Sequence, residues 1–182
     1  MKRVIAVLIC FVFAIILVKF VPMPEVLKSP YQAEVVETFE TQNTPFRIRI
    51  NKHIERGGFM PVLGGAYYVF QSESGSRSDQ WREITTFRFD DPIEIPRNQV
   101  RFANEKVAYL FMIDMYAVTK DGGADWNIYR IGNYLPSDDR CGLIKDLQID
   151  ADGSGKIKVK SCGNDQLKMM ETTDFGQTWR EK

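Results

Sequence analysis

Two short segments of this chain are near copies of each other. Thr119-Lys120-Asp121-Gly122-Gly123-Ala124-Asp125-Trp126 and Thr172-Thr173-Asp174-Phe175-Gly176-Gln177-Thr178-Trp179 share Thr, Asp, Gly and Trp at positions one, three, five and eight. A hydroxyl and a carboxylate two residues apart can hydrogen-bond the backbone of a tight turn, and the glycine can take the positive φ that such a turn needs. The Trp then enters the next strand as a large apolar anchor. Each segment therefore predicts a β-hairpin turn locked from inside, which commits the surrounding chain to antiparallel strands.

The rest of the chain agrees. Beyond residue 31 long helical periodicity is missing, and apolar residues come in short runs bounded by Gly, Asp, Asn and Pro, the pattern of strands and turns. Phe46–Ile50 alternates strictly; Ala66–Phe70, Ile84–Phe89, Trp126–Ile131, Leu143–Ile149, Ile157–Lys160 and Leu167–Thr172 read as further strands. The longest apolar stretch, Val107–Val118, predicts one central strand, with Asp114 as the anomaly: facing outward or paired with an Arg is the favoured reading, contact with a partner protein the alternative. Short separations favour a sequential antiparallel meander. Trp81, Trp126 and Trp179 recur at 45 and 53 residues, close to a repeat period. A third copy before Trp81 is degenerate, with Ser74 at the hydroxyl position but Ser76 and Ser78 in place of Asp and Gly. The expected fold is all-β: a small propeller-like or sandwich-like domain over residues 32–182.

Residues 1–21 are of another kind. Lys2 and Arg3 precede an uncharged apolar run, Val4 to Val18, which Phe20 and Val21 extend past Lys19. Eighteen helical residues cover roughly 27 Å, near the thickness of a bilayer core. The reading is a retained membrane anchor over residues 4–21, with Lys19 snorkelling to the headgroups and the Lys2/Arg3 pair in the cytoplasm. A cleaved signal peptide is the rival, but Ile15–Pro24 lacks the small residues of a cleavage site. Lipidation of Cys10 would need a small residue before it, where Ile9 stands. Pro22, Pro24 and Pro30 make residues 22–31 a stiff tether.

Lys plus Arg equals Asp plus Glu at 24 each, so the basic excess of a nucleic-acid binder is missing. Outside the anchor only Cys141 and Cys162 remain, and in an exported domain they predict one disulfide. Asp150-Ala151-Asp152-Gly153-Ser154 resembles half of an EF-hand loop, but Ser161 stands where the bidentate Glu belongs, so a hairpin turn is the reading and no metal is expected. His53, the only histidine, is read as a solvated loop residue. Asp90-Asp91 and Asp138-Asp139 are adjacent pairs, whereas glycosidic chemistry needs carboxylates facing across a cleft. No catalytic constellation and no cofactor site are predicted.

The twin segments resemble the Asp-box, or BNR, motif of sialidases and related β-propellers, with the pattern Ser/Thr-x-Asp-x-Gly-x-Thr-Trp. Thr172, Asp174, Gly176, Thr178 and Trp179 fit it throughout; Thr119, Asp121, Gly123 and Trp126 fit it with Asp125 where Thr is usual. In such families the motif is a structural turn. The combination of anchor, Cys141-Gly142 and Cys162-Gly163 pairs, and the Asp174-x-Gly176-x-x-Trp179 hairpin also resembles small periplasmic immunity proteins against type VI secretion lipase effectors. That resemblance implies a single-pass bacterial inner-membrane protein whose periplasmic domain occludes a toxin, with partner contacts around Tyr67, Tyr68, Asp138, Asp139 and Arg140. The alternatives are a small extracytoplasmic glycan-active or hydrolytic enzyme and an envelope assembly protein.

Overall fold

The structure, a computed structural model, describes residues 35–54, 65–73, 80–135, 141–162 and 166–182. The anchor, the tether, Asp138, Asp139, Arg140, Gly163 and the segment with Ser74, Ser76 and Ser78 lie outside them. Among the described residues no helix is long and apolar enough to cross a membrane.

The fold is all-β, as expected. Strands β1 (Val35–Glu40), β2 (Ile48–Ile54), β3 (Ala66–Glu73) and β4 (Trp81–Phe89) form a first sheet. A second contains β5 (Val100–Phe102), β6 (Ala108–Met112), β7 (Met115–Thr119) and β8 (Asn127–Arg130), and a third β9 (Gly142–Ile149), β10 (Gly155–Ser161), β11 (Leu167–Thr172) and β12 (Arg180–Glu181). Within each sheet the strands lie side by side in chain order, and all neighbours are antiparallel. The meander is therefore realised three times. Short 3-10 turns at Arg97–Gln99 and Ile131–Tyr134 lie between the sheets.

The alternation in sequence decides which face each strand buries. In Gly155-Lys-Ile-Lys-Val-Lys-Ser161 the lysines face out, and Ile157 and Val159 face in. β6 has no polar positions and is buried along its whole length because both faces of the second sheet are covered. Tyr109, Phe111, Tyr116 and Val118 pack with Ile144, Leu147, Ile157 and Trp179 of the third sheet. On the opposite face, Leu110, Met112 and Ala117 pack with Ile48, Ile50, Tyr68 and Phe70 of the first. The second sheet is thus the wall shared by two cores.

Val107–Val118 is not one strand. It is β6 and β7 folded back on each other, with Met112 opposite Met115 and Ile113-Asp114 as a two-residue turn. A run buried on both faces carries no periodicity that could reveal the reversal, and Asp114 was its only mark. Ile113 has φ 52°, unusual for a β-branched residue. The turn is held from outside: its two carbonyls accept from Ile144 N (2.6 Å) and Ile131 N (2.8 Å). His53 is a second correction. It lies on β2, opposite Val35 and Tyr67, and is 6% exposed rather than solvated in a loop.

Cys141 and Cys162 are bridged, with Cα atoms 5.4 Å apart, and Cys162 N donates to Cys141 O. The bridge ties the open end of the β9–β10 hairpin. Beside it, Gly142 is fixed by space, since a Cβ there would meet Val159 and Leu135 side chains at 2.6 and 2.7 Å. Mass spectrometry of non-reduced protein should recover a Cys141–Cys162 cross-linked peptide; two free thiols would contradict the bridge. Ile113→Asn should raise stability by about 1 kcal/mol, because Asn occupies the left-handed region with less penalty. The urea midpoint of the variant checks this.

Candidate functional site

The twin turns have the same internal geometry. In the first, Thr119 Oγ1 donates to Asp121 Oδ1 (2.8 Å) and accepts from Gly123 N (3.0 Å), while Asp125 N donates to Asp121 Oδ1 (3.0 Å). In the second, Thr172 Oγ1 donates to Asp174 Oδ1 (2.7 Å) and accepts from Gly176 N (3.1 Å), while Thr178 N donates to Asp174 Oδ1 (2.9 Å). Gly123 and Gly176 have φ 88° and 79°, which only glycine takes without strain. The turns join the third and fourth strands of their sheets, β7 to β8 and β11 to β12.

Each turn also docks on the sheet before it. Gly123 O accepts from Ser72 Oγ on β3 (2.8 Å), and Trp126 meets Phe46 edge-on at 6.4 Å. Gly176 O accepts from Tyr116 Oη on β7 (2.5 Å), whose oxygen in turn accepts from Trp179 Nε1 (2.8 Å). Burial pushes the Tyr116 phenol far above its ordinary range, so it stays a donor. The one departure from the repeat has a structural reason. Where Thr178 donates its hydroxyl to Asp174 Oδ2, Asp125 instead turns outward and pairs with Arg82 of β4 at 2.8 Å. Arg82 also donates to Ala124 O. The substitution exchanges a hydrogen bond inside the turn for an ion pair between sheets.

The Asp150–Ser154 segment is the β9–β10 turn. Asp150 N donates to Ser154 O, Ser154 Oγ donates to Asp152 Oδ1, and Phe175 N donates to Gly153 O. A Cβ on Gly153 would strike the Phe175 ring at 2.7 Å, so this glycine receives the second locked turn. Among the described residues no group of three or more His, Cys, Asp and Glu is placed to hold a metal.

Of the residues proposed to meet a partner, Tyr68 is corrected. It is fully buried, and its hydroxyl donates to Ile93 O (2.5 Å) and accepts from Ile93 N (2.8 Å). Neighbouring strand residues point to opposite faces, so Tyr67 lies on the outer face, with Arg88 5.9 Å from its ring centroid. The same face carries a cluster that the sequence did not single out. Arg49 and Arg47 lie 3.9 and 5.3 Å from the centroid of the half-buried Trp81. Arg49 is held by Glu40, and Arg47 is held through two hydrogen bonds by Glu73 (2.8 and 3.1 Å). The Arg47 hydrogen bond lowers the Glu73 carboxyl from its ordinary value. Trp81 was legible only as the end of a degenerate repeat; its arginines come from β2 and the residue just before it, more than thirty residues earlier.

In comparisons with protein-family models, curated proteins and solved structures, nothing matches this chain.

Trp179→Ala should cost about 3–5 kcal/mol, the usual loss for a buried indole. Tyr116→Phe should cost about 2–4 kcal/mol, because it strands both Gly176 O and Trp179 Nε1. Among the described residues Trp126 Nε1 has no partner to lose, so Trp126→Phe should cost less than Trp179→Phe. Urea titrations of the four variants decide these rankings. A further expectation concerns acid. Burial acts to raise the Asp121 and Asp174 carboxyls. Donors outweigh it in both, so both lie below the ordinary value: Asp125 N–H and the Thr119 hydroxyl for the first, the Thr178 hydroxyl and N–H for the second. Folded values below the unfolded one stabilise the fold above about pH 4, and this stabilisation is lost as pH falls through the folded values. The Asp121→Asn/Asp174→Asn protein should therefore lose melting temperature less steeply than the parent below about pH 4.

Proposed function

We propose that this chain is a membrane-anchored binding protein of the bacterial envelope, an immunity protein that neutralises a lipase-type toxin by occlusion. In this reading residues 4–21 stay in the inner membrane and residues 32–182 stand in the periplasm as a small propeller-like stack of three blades. The docking of each locked turn on the preceding sheet supports the propeller-like description. The observation that carries the binding role is the Trp81–Arg47–Arg49 cluster on the outer face of the first sheet. Trp, Tyr and Arg are the residues that dominate binding energy at protein interfaces. Glu40 and Glu73 hold the guanidinium groups in place beforehand, which lowers the ordering cost of association. Tyr67 lies on the same face toward the other end of β3. An anchor would keep the protector concentrated where such a toxin arrives.

The test is co-expression with the neighbouring toxin gene, directed to the periplasm. The wild-type chain should restore growth, and a form held in the cytoplasm should not. Trp81→Ala should keep the fold and lose rescue, with toxin affinity down by about tenfold to a hundredfold, as for an interface anchor worth about 1.4–2.8 kcal/mol. Turnover of a sialoside, ester or phospholipid, abolished by a single carboxylate or His53 change, would place the chain among enzymes instead.

A further inference from the structure

The outer face of the third sheet has the opposite composition to that of the first. Lys156, Lys158 and Lys160 alternate along β10, about 7 Å apart at strand spacing. Leu167 lies opposite Lys160 and Met169 opposite Lys158 on β11, 58% and 40% exposed. Two carboxylates stand beside the row, each already paired: Glu171 is bracketed by Lys182 at 3.1 Å and Lys156 at 3.9 Å, and Asp146, opposite Lys158 on β9, pairs with Arg101 at 2.8 Å. The patch is therefore a basic face with two apolar side chains standing among the ammonium groups.

Its register shows what the face is not built for. Met169 precedes Thr172 by three residues, as Tyr116 precedes Thr119. Tyr116 is where the second sheet receives the locked turn of the third. On the third sheet that place holds an exposed thioether among lysines, a surface that opposes the stacking of another apolar sheet. Protein interfaces are depleted in Lys and enriched in Arg and aromatics, the composition found around Trp81. Lysines are compact, mobile point charges without the fixed fork of arginine. A row of ammonium groups on long flexible stems around shallow apolar side chains matches a fluid anionic headgroup layer, which demands charge and slight insertion rather than a fixed shape.

We propose that the Lys156–Lys158–Lys160 face, with Leu167 and Met169, docks the domain on an anionic lipid surface. The proposal rests on the anchored reading above, since a tether brings the face within reach of a bilayer and raises its effective concentration there. Docking by this sheet leaves the Trp81 face free for a protein partner.

The experiment uses the full chain carrying Leu167→Trp, reconstituted into vesicles with brominated acyl chains. One set is phosphatidylcholine alone and the other contains phosphatidylglycerol. Quenching is read against the parent chain, whose three tryptophans give the background. The added indole should be quenched in the phosphatidylglycerol vesicles and not in the neutral ones. Raising salt from about 0.1 to 1 M, which shortens the screening length from about 10 to 3 Å, should release it. Lys156→Gln/Lys158→Gln/Lys160→Gln, checked for an unchanged near-ultraviolet spectrum, should abolish the quenching. Equal quenching in both vesicle sets, none in either, or full quenching in the triple variant overturns the proposal. Salt-sensitive binding to polyglutamate without lipid quenching also overturns it, in favour of an acidic protein. Flotation of the chain with neutral vesicles reports the anchor separately: a chain that floats only with anionic vesicles fails the anchor reading and still supports the lysine face.

Discussion

The hydroxyl of Tyr116 is a side-chain atom through which the second and third sheets bond inside the core. It donates to the Gly176 carbonyl of one locked turn and accepts from the indole of the Trp that ends that turn. An unpaired polar group in such a place costs more than a satisfied one contributes. The phenol therefore fixes where the turn sits as much as how firmly it is held. Around it the Tyr129 ring stacks at 5.2 Å and the Trp179 ring meets it edge-on at 6.1 Å. A sheet that slid by one residue would lose these contacts together, because its side chains would change faces.

The first and second sheets are joined by the same plan in different chemistry. Ser72 takes the part of Tyr116 as donor to a turn carbonyl, and Phe46 replaces the tyrosine ring against Trp126. Gly123 is needed as much for room as for its backbone angle, since a Cβ would meet Phe46 at 2.7 Å. What the first junction lacks in a shared phenol is offset in part by Arg82, which reaches the Asp125 carboxylate and the Ala124 carbonyl. That ion pair is largely exposed and so contributes little by itself. The apolar contacts beneath it carry most of the junction.

A sheet stack of this kind has two outer faces, and here they differ. The first sheet's face is ordered by charge pairs around an indole. The third sheet's face is a lysine row beside exposed aliphatic and thioether groups. Neither face is legible from composition, because 24 basic and 24 acidic residues cancel over the chain. The segregation exists only once strands are placed side by side, when residues distant in sequence share one surface.

The sequence by itself determined the local chemistry. Thr119, Asp121 and Gly123, and their counterparts Thr172, Asp174 and Gly176, bond within eight residues, so nothing distant is needed to form those turns. The alternation of Lys and aliphatic residues over 155–161 likewise set a strand and its faces. Three strands, β1, β5 and β12, left little signal, since none of their residues is buried. The β6–β7 reversal was hidden because burial on both faces erases the period of two. Tertiary structure alone decided that Tyr68 is a buried pin rather than a surface ring, that His53 is covered on a strand, and that Arg47, Arg49 and Trp81 meet. Each of these depends on strand register and on which sheet covers which face. Those are set by contacts between residues far apart in the chain, which a reading along the sequence does not contain.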